Sequence, residues 1–162
     1  MQAAGTILEL HRADSSNARH ISLRDFYLGN RRVAMAENEI LVGVHIPLPN
    51  SSSQTFLRSY KQARRRDDAV GIVSAGLQVQ LEQSETANGP WRIVSTCFSF
   101  SGMASMTVMA KKTEQELIGL PWTRTTIDTA CELILQEMLL DELSPGGQPE
   151  YRYDALLFER NR

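Results

Sequence analysis

The stretch VSAGLQVQL, residues 73–81, alternates apolar and polar side chains without a break. Val73, Ala75, Leu77, Val79 and Leu81 point one way and Ser74, Gly76, Gln78 and Gln80 the other, which is the pattern of a half-buried antiparallel strand. SETANGPW at 84–91 supplies turn residues, and RIVSTCFSF at 92–100 repeats the alternation with Val94, Thr96, Phe98 and Phe100 on one side. Residues 72–100 therefore predict a hairpin with a long loop.

Upstream, AGTILELH at 4–11 predicts a first short strand, and DSSN at 14–17 the turn after it, because these side chains satisfy their own backbone locally. SLRDFYLG at 22–29 predicts a short helical turn closing on Gly29. EILVGVHIP at 39–47 predicts a strand with Ile40, Val42, Val44 and Ile46 on one face and Leu41, Gly43 and His45 on the other, ended by Pro47 and Pro49. PNSSSQ at 49–54 is the best boundary in the chain, and a strand TFLRSYKQA follows at 55–63.

Downstream, helices take over. Thr113 and Glu116 make a T-x-x-E capping box before QELIGL, which Pro121 stops, and Thr125 with Asp128 starts a second helix. There Ile127, Ala130, Cys131, Ile134, Leu135 and Met138 form one stripe suited to lie on a sheet. Six such side chains, at roughly 1 to 3 kcal/mol each, make an adequate local core before entropy is subtracted. SPGGQPE at 144–150 breaks that helix, and a last helical segment is expected from about 151 to the end. Strands first and helices last gives an α+β fold: a small antiparallel sheet of three to four strands packed against a layer of helices.

At 162 residues, 42% hydrophobic and 22% charged, the chain suffices for one core of ordinary size. No apolar run approaches the roughly 18 residues of a membrane helix, and the first residues lack the order of a signal peptide, so a cytoplasmic protein is expected. A formal charge of −2 and a pI near 5.9 remove the electrostatic reason to expect nucleic acid or an anionic membrane as partner. Cys97 and Cys131 lie in apolar-periodic stretches and read as buried thiols. His11, His20 and His45 share no ligand spacing, so no metal site is expected. No G-x-S-x-G or H-E-x-x-H supports a hydrolase.

One stretch carries chemical information: SYKQARRRDDAVGIVSAG, residues 59–76. Lys61, Arg64, Arg65 and Arg66 meet Asp67 and Asp68 between one strand and the next. Such a cluster is either a self-neutralising turn or a site that binds phosphates or sets the potential beside a redox group. Composition alone leaves both open.

The segment YKQARRRDDAVGIVSAG resembles the part of the xanthine dehydrogenase and aldehyde oxidase flavoproteins that runs lysine, glutamine, alanine, basic cluster, acidic pair and alternating strand. FYLGNRRVAMAENEILVGVHIPLP at 26–49 resembles the strand and turn before it, FSFSGMAS at 98–105 the small-residue turn after the next strand, and SPGGQPEYR at 144–152 the Gly-Gly element near the domain's end. The order is correct from about residue 20 to 153. The resemblance implies that residues 51–162 are a domain like the C-terminal domain of carbon monoxide dehydrogenase flavoproteins. Residues 1–50 would be the C-terminal tail of the PCMH-type FAD-binding subdomain.

By matching positions, Leu41 and Lys61 correspond to residues that contact the flavin ring region. Arg65, Arg66, Asp67 and Asp68 correspond to a loop beside the flavin that influences whether NAD or oxygen accepts the electrons. The basic-then-acidic loop leans to the NAD-using, xanthine-oxidising members, with aldehyde oxidase as the alternative. Ala69 stands where many members carry a further acidic residue, and Ser101-Gly102-Met103-Ala104 replaces Gly-Gly-Met-Ala.

The cofactor implied is FAD, and the partners implied are an upstream FAD-binding segment, iron–sulfur and molybdenum domains, and NAD as acceptor. No catalytic residue is assigned. The glycine-rich diphosphate loop of the family has no counterpart in the sequence, so the chain alone is expected to bind FAD weakly or not at all and to be inactive. A non-catalytic interaction module that keeps the fold without the cofactor is the reading from another class.

Overall fold

A computed structural model describes residues 1–14, 16–48, 54–83, 89–140, 142–144 and 146–157. A 3₁₀ turn at Gln2–Ala4 leads into β1 (Ile7–Arg12) and β2 (Ala18–Ser22). The one-turn helix α1 (Leu23–Phe26), β3 (Tyr27–Gly29), β4 (Arg32–Val33) and β5 (Glu39–His45) follow. Next come β6 (Gln54–Ala63), β7 (Gly71–Gln83), β8 (Trp91–Ser101) and β9 (Val108–Met109). Helices α2 (Lys111–Leu117), α3 (Arg124–Glu137) and α4 (Pro149–Leu157) complete the order. The α+β expectation holds: a four-stranded antiparallel sheet β6-β7-β8-β9 carries the helices, and a three-stranded antiparallel sheet β2-β1-β5 precedes it.

Two apolar clusters lie on either side of residue 50. Leu8, Leu10, Leu23 and Phe26 form a small one beneath β1. The larger one gathers Val73, Val79, Leu81, Ile93, Phe98, Phe100, Leu117 and Met138 between the four-stranded sheet and the helices. The boundary expected at 50/51 falls outside the described residues.

The 73–81 alternation is realised, with one departure on its partner. Leu77 faces Phe98 and Val79 faces Thr96, but the register shifts after Gln80 so that Leu81 faces Ile93. Ile93, 1% exposed, therefore enters the core and Val94 is the extra residue of a bulge. A similar shift alters β5. Leu8 faces Val44 and Leu10 faces Leu41, while Glu9 faces Gly43. Residues opposite one another share a face, so Leu41 joins Val44 on the side of Leu8 and Leu10, and Gly43 joins His45 and Ile40 on the side of Glu9. Strict alternation along 40–46 is thereby corrected.

The helix starts also differ from expectation. Ser22 caps α1 as a serine should, its hydroxyl accepting from the Arg24 amide, but the chain turns extended at Tyr27 and enters β3. Helix α2 begins at Lys111, so Thr113 is inside it. Its first amides are met by Glu137 at the far end of α3, whose carboxylate accepts from the Lys112 amide and from the Thr113 amide and hydroxyl, all at 3.0 Å. Helix α2 ends at Leu117, well before Pro121. The cap of α3 is Thr123, not Thr125: its hydroxyl accepts from the Thr126 amide. Helix α4 starts at Pro149, a proline in the first helical position where no amide is needed.

The stripe of α3 faces the sheet as expected, with Met138 buried and Ala130 and Ile134 packed on the main cluster. Grooves of about 280 and 420 Å³ remain between it and β6 to β8, bordered by Tyr60, Leu77, Ile127 and Cys131. Among the described residues no helix is long and apolar enough to cross a membrane. Cys97 is buried and Cys131 half-buried.

Candidate functional site

The alternation that builds β7 also builds a second, polar face on its sheet. Lys61 lies opposite Ser74 and Ser74 opposite Ser101, while Ser59 lies opposite Gly76 and Gly76 opposite Ser99. Apart from Lys61, every side chain in these two rows is a serine or a glycine, so the surface is low and flat. Met1, Gln2, Leu23 and Tyr27 stand over it as the opposite wall of a groove of about 440 Å³.

The N-terminal segment is fixed there by short contacts. The Arg24 guanidinium donates to Cys97 Sγ at 2.6 Å, and Cys97 Sγ contacts the Gln2 carbonyl oxygen at 3.7 Å. Burial, the larger influence, pushes the Cys97 thiol up against the opposing pull of Arg24. The Gln2 amide group donates to the Leu23 carbonyl at 3.3 Å. The groove is thus walled on one side by residues upstream of 50 and floored by β6, β7 and β8.

Lys61 is exposed on an edge strand, not sunk in a core, and its Nζ donates to the Ala69 carbonyl at 3.1 Å. Its ammonium keeps two further donors at the groove rim. Residues 64–68 form an exposed bend in which Asp68 takes a left-handed backbone (φ 49) and Arg65 Nη2 donates to the Asp68 carbonyl at 2.9 Å. Among the described residues no ion pair joins Arg64, Arg65 or Arg66 to Asp67 or Asp68. The cluster is thus a solvated bend with its charges exposed, and both readings of it stay open. Leu41 lies on β5, 46% exposed, and is not among the groove-lining residues. The structure brings Lys61 to the groove and the loop to its own strand end, and leaves Leu41 on the other sheet.

The small-residue floor is not visible in the linear sequence: Ser74 and Gly76 of β7 and Ser99 and Ser101 of β8 line up only through the register between the strands.

The family model of the CO dehydrogenase flavoprotein C-terminal domain matches residues 58–157, which hold the groove floor, the charged bend and all three longer helices. The chain belongs to that family. This flavoprotein-type chain is 35% identical over 144 residues to xanthine dehydrogenase 1 of Arabidopsis thaliana, covering 88% of the chain and 10% of that enzyme. It is also 35% identical over 149 residues to aldehyde oxidase 2 of Cavia porcellus, covering 91% of the chain and 11% of the enzyme. It therefore spans about a tenth of the length of the curated relatives it matches. A solved structure of reconstituted CO dehydrogenase from Oligotropha carboxidovorans superposes with a TM-score of 0.74 at 24% identity, covering 99% of the chain and 52% of the solved one, which shows the fold.

Proposed function

We propose that this chain is the closing part of an FAD site in a xanthine dehydrogenase-type molybdo-flavoenzyme, with the polar groove against the flavin. The observation that carries the reading is Lys61 at the rim of a groove floored by Ser59, Ser74, Gly76, Ser99 and Ser101, in a member of a flavoprotein domain family. A flat floor of short side chains fits an edge of a planar ring system, and a cation at its rim fits a ring or phosphate that gathers negative charge. The floor offers no cradle of successive backbone amides for a diphosphate, so the residues present fit part of the cofactor and not all of it.

Residues 1–50 act as the end of the flavin-binding subdomain and 51–162 as the lid. Strand β5 supports the division: Ile40, Leu41, Val42 and Val44 are all more than 40% exposed, and an apolar strand left open in this way is the kind that further chain covers. The upstream FAD-binding segment supplies that cover.

When bound, FAD supplies two-electron chemistry between a donor and an acceptor. The chain's own residues bind and tune. Lys61 stabilises negative charge at the ring edge, Leu41 packs on the flavin side of the covered sheet, and the serines exclude bulk without adding charge. Arg65, Arg66, Asp67 and Asp68 set the potential near the ring and the access of an anionic dinucleotide such as NAD. The electrons come from purine oxidation at a molybdenum domain through iron–sulfur domains, in the cytoplasm.

The test is the visible spectrum. The isolated chain mixed with FAD is expected to retain little or none after gel filtration, and mixing it with an upstream FAD-binding segment is expected to restore retention. A chain that keeps stoichiometric flavin unaided overturns the reading, and indifference to the upstream segment favours a non-catalytic interaction module.

A further inference from the structure

The β1 ladders collect the chain's three histidines on one face. Glu9 of β1 lies directly opposite His20 of β2, and on the other side opposite Gly43 of β5, with His45 two residues further along opposite Ile7. One ligand atom from each of Glu9, His20 and His45 lies within 4.8 Å of the others. His45 Nε2 is 2.8 Å from Glu9 Oε2, and the His20 and His45 rings are 5.7 Å apart. His11, on the same face, places Nε2 3.0 Å from the other carboxylate oxygen, Oε1. These two contacts, His45 first, lower the Glu9 carboxyl from its ordinary value.

The space for this cluster is made by a missing side chain. A Cβ at residue 43 would lie 2.9 Å from Glu9 Oε2 and 3.2 Å from His45 Nε2. A side chain at residue 43, directly across from Glu9, would therefore crowd two of the ligand atoms.

We propose that Glu9, His20 and His45 bind a divalent transition metal, with Zn²⁺ the best match, and that the ion clamps the three strands. Two imidazole nitrogens and one carboxylate oxygen are a donor set that zinc takes in tetrahedral sites, with water in the fourth position. Bonds of about 2 Å put tetrahedral donors about 3.3 Å apart, a spacing that donor atoms now 2.8 Å to at most 4.8 Å from one another reach by movement of the exposed His20 and His45 side chains. His11 positions Glu9 by holding its other carboxylate oxygen, Oε1, as groups behind metal ligands do. The site lies on the three-stranded sheet and does not depend on the flavin reading.

The experiment is a titration of the whole 162-residue chain, stripped with a chelator, with Zn²⁺ by calorimetry and with Co²⁺ by visible absorption. One equivalent of each is expected to bind, with a tetrahedral cobalt spectrum and a higher melting temperature with Zn²⁺. His20→Ala and His45→Ala should each weaken binding by more than about tenfold, Gly43→Ala should weaken it with every ligand retained, and His11→Ala should cost roughly 10- to 100-fold. Because His20 and His45 are exposed, circular dichroism should show both variants folded. Absence of a cobalt spectrum, or unchanged affinity in the folded His20→Ala/His45→Ala double variant, overturns the proposal.

Discussion

Arg152 of α4 donates from Nη1 to the Gly102 carbonyl at 3.0 Å, tying the last helix to the turn after β8. Arg152 is 6% exposed, and a Cβ on Gly146 would lie 2.1 Å from its Nη2. Two glycine motifs 42 residues or more apart in sequence thus meet on one guanidinium: the first supplies an acceptor and the second room. At Gly102 the backbone has φ +87 and an added Cβ would lie 2.0 Å from the Ile72 carbonyl oxygen.

Gly102→Ala is accordingly expected to destabilise the chain by more than about 1 to 3 kcal/mol. Arg152→Leu should cost about 1.5 to 3 kcal/mol through the lost charged hydrogen bond. Urea unfolding followed by circular dichroism measures both. No effect of Arg152→Leu would remove α4 from the account of stability, and no effect of Gly102→Ala would contradict the strain argued at that turn.

Arg19 and Glu39 give a pH dependence. Arg19 donates from Nε at 2.8 Å and from Nη2 at 2.7 Å to the two oxygens of Glu39, whose side chain is 4% exposed. The Arg19 hydrogen bonds, followed by the Ala36 amide, lower the Glu39 carboxyl from 4.5 to about 2. A depressed folded-state pKa adds stability that is fully present above the unfolded value and is lost as pH falls through the folded one. Stability should therefore decline from about pH 4.5 toward pH 2, and less steeply in Glu39→Gln, which starts lower. Parallel curves for the two proteins in acid would refute this.

Glu137 joins α2 to α3 by capping. Glu137→Ala leaves the Lys112 and Thr113 amides without their carboxylate, so a loss of about 1 to 2 kcal/mol is expected, with Glu137→Gln intermediate. Thermal unfolding checks the order of the three proteins.

How much of this was legible in the sequence follows from the range of each interaction. The period-2 run at 73–81 and the helical stripe of α3 are local, and both form. The bulge that substitutes Ile93 for Val94 in the core is a one-residue insertion with correct alternation on each side of it, so periodicity could not locate it. Thr113 matched a local capping pattern, but its partner, Glu137, is 24 residues away. Lys61 was legible from resemblance, whereas the serine floor beneath it and the grouping of His20 and His45 about Glu9 depend on strand register, which no linear spacing encodes.

The central claim is that this chain closes a flavin site whose other part lies upstream. The direct measurement is flavin content in a chimaera in which the chain replaces the matching segment of Arabidopsis thaliana xanthine dehydrogenase 1. The account predicts near-stoichiometric FAD by visible absorbance, with reduced flavin retention or a shifted flavin potential in Lys61→Ala. A chimaera that is folded by circular dichroism yet purifies without flavin would contradict it.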